Sequence, residues 1–567
     1  MRTAEFRLVD RVVDELARFG VDHVFGVGGA NIEDLYDAIH RSRSAVRGVV
    51  AKHEFSAVTM ADGYARATGR LGVVAATSGG GAMNLVPGLA EAYASRVPLL
   101  ALVGQSPTAL DGRGAFQDSS GKGGSFDAEQ VFAPISRFCA RVDRPDILEE
   151  LLPQAVAAAQ REPRGPAVLL LPKDVQQARV EPGGPILPVP AAAEVDPGAV
   201  GRAVTALRAA TAVLVIAGEG VAATDARAEV AELARRTGAW VAVTPDAKDV
   251  FDNRDPRFVG VSGVMGHPTV SECLRQADVC LLVGTRLPMM ARGGLDDLLS
   301  RTTVICVDPE APFVAGLSLR GDVRGALRSL IGRLPAQSRP CPGHAGPLPL
   351  PTPPFRGVGT PYAEAIAVID AVLPEDAHVF VDAGNAAAAA IHLLPARRRG
   401  RFVVAVGMGG MGYAFGAGIG AALASGQRTF VLAGDGAFFM HGMEVHTAVE
   451  YDAPVTFVIF NNNAHGMCVT REQLFYGDDY SYNLFRPTDI AGAMAAGFPT
   501  LPVSGAGSAG QLHRALRRST AGRGPALVEV VVDPREVPPF LPFLAALGQH
   551  PPDSEETSRE HRPVHVG

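Results

Sequence analysis

The sequence predicts an α/β protein of three doubly wound parallel-sheet units in series, on three observations. Short continuous apolar runs recur with helix-patterned stretches between them, as in strands buried on both faces. Glycine-rich turns follow several of those runs directly. Two proline-rich breaks divide the chain into thirds. In the first unit, 12–19 has helical spacing and Gly20 stops it; 24–27 reads as a buried strand, Gly28-Gly29 as a turn and 32–39 as a helix. Residues 72–76, 99–103 and 167–171 are further strands. Four prolines between 182 and 190 mark an extended linker. The second unit carries strands at 212–216, 240–243, 279–283 and 303–307, and a second linker, dense in Pro and Gly, spans 335–361. Strands of the third unit are expected at 379–381, 429–432, 455–460 and 527–531. The expected domains are thus 1–180, 195–335 and 360–540, with 541–567 as a C-terminal tail that turns polar and charged from Gln549.

A length of 567 residues suits about three or four domains. Hydrophobic residues make up 47% and charged residues 20%, an ordinary globular mixture. The net charge of -7 is mild, and no block of Lys and Arg suggests a nucleic-acid or membrane footprint. The first ten residues lack the cationic start and apolar core of a secretory signal. The six cysteines are scattered with no Cys-x-x-Cys pair, which fits free thiols in a cytoplasmic protein.

The sharpest feature lies in the third unit. Gly434-Asp435-Gly436 follows an apolar strand, a helical pattern runs from Ala437 to about Glu450, and the next strand leads straight into Asn461-Asn462-Asn463. This βαβ unit places polar residues at the C-terminal ends of two strands, where ligands bind in open α/β sheets. Asp435 supplies a hard anionic oxygen and Asn462 a neutral one, the donors Mg²⁺ takes alongside phosphates. A Gly-Asp-Gly turn alone would carry little; strand, triplet, helix, strand and paired Asn in that order are far more restrictive.

The stretch 434–462 resembles the cofactor motif of thiamine-diphosphate-dependent enzymes. The resemblance implies that Asp435, Asn462 and the carbonyl of Ala464 coordinate Mg²⁺, which bridges to the cofactor's diphosphate, with Gly434, Gly436, Ala437, Gly466 and Met467 around it. A second match is the run from His53-Glu54 to Ala65-Arg66, similar to the helix that carries the family's glutamate. It gives Glu54 the role of hydrogen-bonding a pyrimidine nitrogen and supporting the imino tautomer that activates the cofactor.

Unit order and several stretches are similar to the acetolactate synthase-like branch, which also includes pyruvate oxidases and decarboxylases. These are the Gly-rich run 77–85, which holds Gly79 and Asn84; Val103-Gly104-Gln105; Ala115-Phe116-Gln117; and Leu171-Pro172-Lys173-Asp174-Val175. Gly409-Gly410-Met411-Gly412 matches the segment that holds the cofactor bent, with Met411 as apolar fulcrum and the Gly409 carbonyl as an acceptor; Gly384-Asn385 matches a polar diphosphate contact. Three departures leave the acceptor open: a lengthened, glycine-rich 118–130 segment, Arg471 where branched-chain acetolactate enzymes carry tryptophan, and His465 as a candidate acid or base. FAD is left open too. Residues 216–220 and Gly284-Thr285-Arg286 fall where flavin contacts would lie, while 287–290 depart from the pattern.

The resemblance implies a ThDP- and Mg²⁺-dependent carboligase. It would decarboxylate pyruvate or a related 2-keto acid and transfer the two-carbon acyl carbanion to a carbonyl acceptor. Glu54 and Gln117 are its catalytic candidates; Gly29, Gln117, His465 and Arg471 are its substrate candidates. The alternatives are a 2-keto-acid decarboxylase releasing an aldehyde, which the lack of a His-His pair in the sequence disfavours, and a non-catalytic regulatory or interaction subunit. A homodimer or homotetramer is implied, because the family's cofactor lies between two chains.

Overall fold

The computed structural model describes residues 6–181, 195–355, 357–397, 399–477 and 480–549. Each third of the chain forms a six-stranded, wholly parallel sheet. The first contains β1 (His23–Gly26), β2 (Arg47–Val50), β3 (Gly72–Ala76), β4 (Leu99–Gln105), β5 (Phe138–Arg141) and β6 (Pro166–Pro172). The second contains β7 (Val213–Ala217), β8 (Trp240–Val243), β9 (Phe258–Val261), β10 (Val279–Val283), β11 (Thr303–Val307) and β12 (Leu317–Leu319). In the third are β13 (His378–Val381), β14 (Phe402–Val404), β15 (Thr429–Gly434), β16 (Val455–Asn461), β17 (Val503–Ala506) and β18 (Ala526–Val531).

The outer sheets share one strand order, β2-β1-β3-β4-β6-β5 and β14-β13-β15-β16-β18-β17; the middle sheet runs β12-β11-β10-β7-β8-β9, the order of a dinucleotide-binding fold. In every sheet the strand order reverses beside the first strand, so a crevice opens between β1 and β3, β7 and β10, or β13 and β15.

The outer units meet through two helices, Glu54–Thr68 and Tyr413–Ser425. Neither is amphipathic; both are buried on nearly every side, as helices clamped between two sheets must be. Glycines let their backbones touch. A Cβ on Gly63 would collide with the Ala417 carbonyl, and one on Gly420 with the Met60 carbonyl. At the same crossing, the buried Asp62 carboxylate takes hydrogen bonds from Tyr413 Oη and Arg66 Nε.

The middle unit joins through a buried ion network. Arg401 donates two 2.8 Å bonds to Glu219, one of 2.9 Å to Asp249 and one to the Arg66 carbonyl. Burial of so many charges is tolerable because each is paired and bonded.

Three expectations change. The helix expected from Ala437 to Glu450 instead starts at Asp435, ends at His441, and resumes at Val445 after the 3-10 turn Gly442–Glu444, since Gly442 lies directly beneath the Phe438 ring. Residues 541–549, expected in the tail, form the helix Leu541–Gln549, which buries Phe543 against Phe475 and Phe540. Six strands were not expected at all, and each is a sheet edge. The linker at 182–190 and the tail from 550 lie outside the described residues. Among those described, all six cysteines are free and no helix is long and apolar enough to cross a membrane.

Candidate active site

At the crevice of the third sheet, β15 delivers Asp435 and β16 delivers Asn462, on neighbouring parallel strands. Asp435 opens a helix, so its carboxylate faces that helix's free N–H groups. It is 1% exposed. Its Oδ2 accepts from the Ala464 N–H at 3.0 Å, while Oδ1 has no partner. Asn462 is 7% exposed, and its Oδ1 is also unpartnered. The preceding Asn461 is structural instead, bonded to Glu529 and to the Thr488 carbonyl. Burial pushes the Asp435 carboxyl up to about 6. A buried carboxylate with one bare oxygen beside a bare amide oxygen presents two hard donors that a cation could bridge.

Gly384 and Asn385 face this pair from the C-terminal end of β13. Both side-chain atoms of buried Asn385 lack partners as well. Gly384 takes φ 127°, a glycine-only conformation that starts the helix Asn385–Leu393. Gly466 lies so close to the Asn462 and Asn385 amides that a Cβ would strike both. Gly434, Gly436, Ala437, Met411, Ala464, His465, Gly466 and Met467 complete a cavity of about 70 Å³, room for one end of a cofactor. Met411 Cε and the His465 ring both close over Gly436. His465 is aimed by Asn483, whose Oδ1 lies 3.3 Å from Nδ1, and packs edge-on to Phe485. Arg471 is exposed on the helix Gly466–Phe475 and does not line this cavity; three residues beyond Cys468, it has passed the rim.

The first sheet builds a second cluster. Glu54 is the first residue of its helix, whose N-cap His53 accepts from the Phe55 N–H. Glu54 Oε2 accepts from Asn84 Nδ2 at 2.9 Å, and Oε1 lies over Gly81, where a Cβ would meet it at 3.0 Å. Gln117, in a left-handed conformation at φ 59°, folds over Gly79 and accepts from Thr77 and Ser78 at 3.3 and 3.4 Å. Gly29 packs against the Thr77 side chain. None of these residues lines the Asp435 cavity, whose lining comes entirely from 362–468. One chain therefore carries two separate clusters of candidate residues.

Two carboxylates not anticipated from the sequence hold the segment with Gly409 and Met411 in place. Glu91 accepts from the N–H groups of Gly407, Met408 and Gly409, and Asp382 accepts from those of Gly412 and Ala414 at 2.8 and 2.9 Å. A histidine pair forms as well. His53 and His441, far apart in sequence, stack edge to face at 5.1 Å.

Three domain descriptions of one family match the chain: the thiamine pyrophosphate enzyme N-terminal TPP binding domain at 6–123, central domain at 200–330 and C-terminal TPP binding domain at 382–530. A probable acetolactate synthase large subunit of Methanocaldococcus jannaschii is 28% identical, over 94% of this chain and 93% of that protein. The acetolactate synthase large subunit of Parasynechococcus marenigrum is 31% identical, over 92% of this chain and 86% of that protein. In structure the chain is similar to benzoylformate decarboxylase from Polynucleobacter necessarius, with a TM-score of 0.80 and 20% identity over 94% of this chain and 99% of that one, a likeness of fold. Matched in all three units and over nine-tenths of its length, the chain belongs to the thiamine pyrophosphate enzyme family and is an acetolactate synthase-like, thiamine-diphosphate-dependent enzyme.

Proposed function

We propose that the protein is a Mg²⁺- and thiamine-diphosphate-dependent carboligase. It would decarboxylate pyruvate or a related 2-keto acid and join the two-carbon unit to a carbonyl acceptor. The observation that carries the cofactor reading is the pair of bare, buried oxygens on Asp435 and Asn462. No cluster of three or more His, Cys, Asp or Glu occurs among the described residues, so a cation here needs further oxygens. A diphosphate and the Ala464 carbonyl supply them, which suits Mg²⁺.

Each residue has a task in this reading. Asp435, Asn462 and Ala464 hold the ion, and Gly384 and Asn385 hold the diphosphate. Glu91 and Asp382 fix the strap whose Gly409 carbonyl and Met411 side chain would contact the cofactor. Glu54, aimed by Asn84, would share a proton with the cofactor's pyrimidine, and Gln117 would face the substrate. When bound, thiamine diphosphate supplies the electron sink for loss of CO₂. Two half-sites on one chain favour a homodimer as the minimal active form. The exposed Phe439, Met440 and Phe475, from the two helices that bound the cavity, suit burial by a second copy.

The flavin alternative is disfavoured by the residues at its expected position. The turn after β7 and that after β10 do line one cavity of about 440 Å³, which residues of all three units enclose. Yet the N–H groups of Gly218 and Gly220 are taken by the Val283 and Gly284 carbonyls, and Glu219 adds a negative charge to the first turn of the helix, where a pyrophosphate would be repelled. The decarboxylase alternative gains little from the His53–His441 pair. Burial pushes His441 down to about 4, which favours the neutral imidazole over a proton donor near neutral pH.

The test is mass spectrometry of products from purified protein with Mg²⁺, thiamine diphosphate and pyruvate, with and without aldehyde and keto-acid acceptors. A new carbon–carbon product is expected. Acetaldehyde alone would replace this reading with the decarboxylase.

A further inference from the structure

Lys248 is a buried cation that the proposed chemistry does not use. It opens the 3-10 turn Lys248–Val250 after β8 and is 2% exposed. Among the described residues no carboxylate reaches it. Its ammonium donates instead to the carbonyls of Ala390 (3.2 Å), Ile391 (2.6 Å) and Leu394, and lies 4.8 Å from the Phe402 ring centroid. These carbonyls end the helix Asn385–Leu393, where the backbone's partial negative charge collects.

That helix is an unusual object. Its body, Ala386–Ala390, is buried in the core and carries no polar side chain, so its polar anchors lie at the ends. The N-terminal end carries Asn385, whose amide is wholly unpartnered and buried in the cavity with Asp435 and Asn462. At the other end the middle unit and the linker that follows it grip it repeatedly. His392 accepts from the Leu350 N–H and faces the Met265 carbonyl at 3.1 Å, His267 stacks on His392 at 4.3 Å, and Asn253 Oδ1 accepts from the Ala396 N–H at 2.9 Å. Nine residues at about 1.5 Å each separate the two ends.

We infer that Lys248 is a positioning residue for the cofactor diphosphate: from the middle unit, it fixes the axial position of the helix Asn385–Leu393 and neutralises its negative end, so that Asn385 and the free N–H groups behind it meet the anion. The inference rests on the placement of the diphosphate at Gly384 and Asn385. It gives the middle unit a part in cofactor binding without contact. Burial also pushes the Lys248 ammonium down to about 7, so the clamp is more fully charged below neutral pH than above. Asp370, on the helix Tyr362–Val372, is the carboxylate that acts on it from a distance, and His267 and His392 face it in neutral form.

The experiment is calorimetric titration of cofactor-stripped, full-length protein with Mg²⁺ and either inorganic pyrophosphate or thiamine diphosphate, in wild type and Lys248→Met. Both dissociation constants are expected to rise by a common factor of about five at pH 6, less at pH 8, with kcat at saturating cofactor nearly unchanged. Should Lys248→Met not fold, Lys248→Gln, which can still donate to Ile391 but carries no charge, is read the same way. Unchanged affinities, or a lower Tm alone, would overturn the inference and leave Lys248 a structural residue. Asn385→Ala is the control: if it leaves pyrophosphate affinity untouched in a protein that binds thiamine diphosphate, the placement of the diphosphate falls, and this inference with it.

Discussion

Glu54→Gln isolates the charge of one carboxylate with almost no change in shape. Glu54 Oε2 takes a 2.9 Å bond from Asn84 and Oε1 lies against Gly81, so a glutamine can keep the Asn84 bond with its carbonyl. Its amide nitrogen then takes the place of the second oxygen. An acceptor becomes a donor at the atom expected to face the pyrimidine, and the shared proton has nowhere to go. Positioned proton transfer contributes about 10²–10⁴ in rate, or about 3–5 kcal/mol of barrier, so kcat is expected to fall by that factor. Loss of the negative charge at a helix N-terminus costs stability of about 0.3–1 kcal/mol, a shift in Tm of a few degrees at most. The assay is pyruvate consumption at saturating Mg²⁺ and thiamine diphosphate, with cofactor affinity measured separately by calorimetry. A variant that binds the cofactor and turns over within about tenfold of wild type would refute the assignment, because no other described carboxylate contacts Asn84.

Asp435→Ala should abolish the Mg²⁺ dependence of cofactor binding; calorimetry with and without chelator reads this, and an unaltered dependence would place the metal elsewhere. Gly63→Ala drives a methyl into the Ala417 backbone, where neither buried helix can yield; overpacking of this kind costs about 1–3 kcal/mol, visible in denaturant unfolding, and a neutral result would mean the crossing is looser than described. His392 is pushed down to about 4 by burial, so between pH 6.5 and 4 the unfolded chain takes up its proton first and stability is lost as pH falls. His392→Gln, which can keep both hydrogen bonds, should therefore flatten the pH dependence of unfolding by about one proton, or about 1.4 kcal/mol per pH unit, over that window; equal slopes would mean His392 is protonated in the fold.

The central strands of each sheet were legible because burial on both faces demands an unbroken apolar run, as in β6 and β16. Edges lack that demand. β2, β5, β12 and β17 are half-exposed and carry Arg, Ser or Gly; β9 is broken by Gly260 at φ 114°, and β14 is three residues long. The nearness of Asp435 and Asn462 could be read because both lie in one βαβ unit, where spacing along the chain becomes proximity. Glu91 and Asp382 could not, since each bonds backbone N–H groups of a segment that sequence does not place beside it. Nor could the His53–His441 pair, nearly 400 residues apart. Arg471 stays clear of the Asp435 cavity for a different reason: an aligned position does not say which way a helix turns it.

The separation of the two half-sites has a genetic consequence. If each working centre draws Glu54 from one subunit and Asp435 from the other, a chain carrying only Glu54→Gln and a chain carrying only Asp435→Ala are each dead as homodimers. Co-expressed, they form mixed dimers in which both lesions fall in one centre and the other is wholly wild type. Two null alleles would then restore growth or turnover together, up to a quarter of the normal centres for random pairing, whereas two alleles damaged in the same half would not.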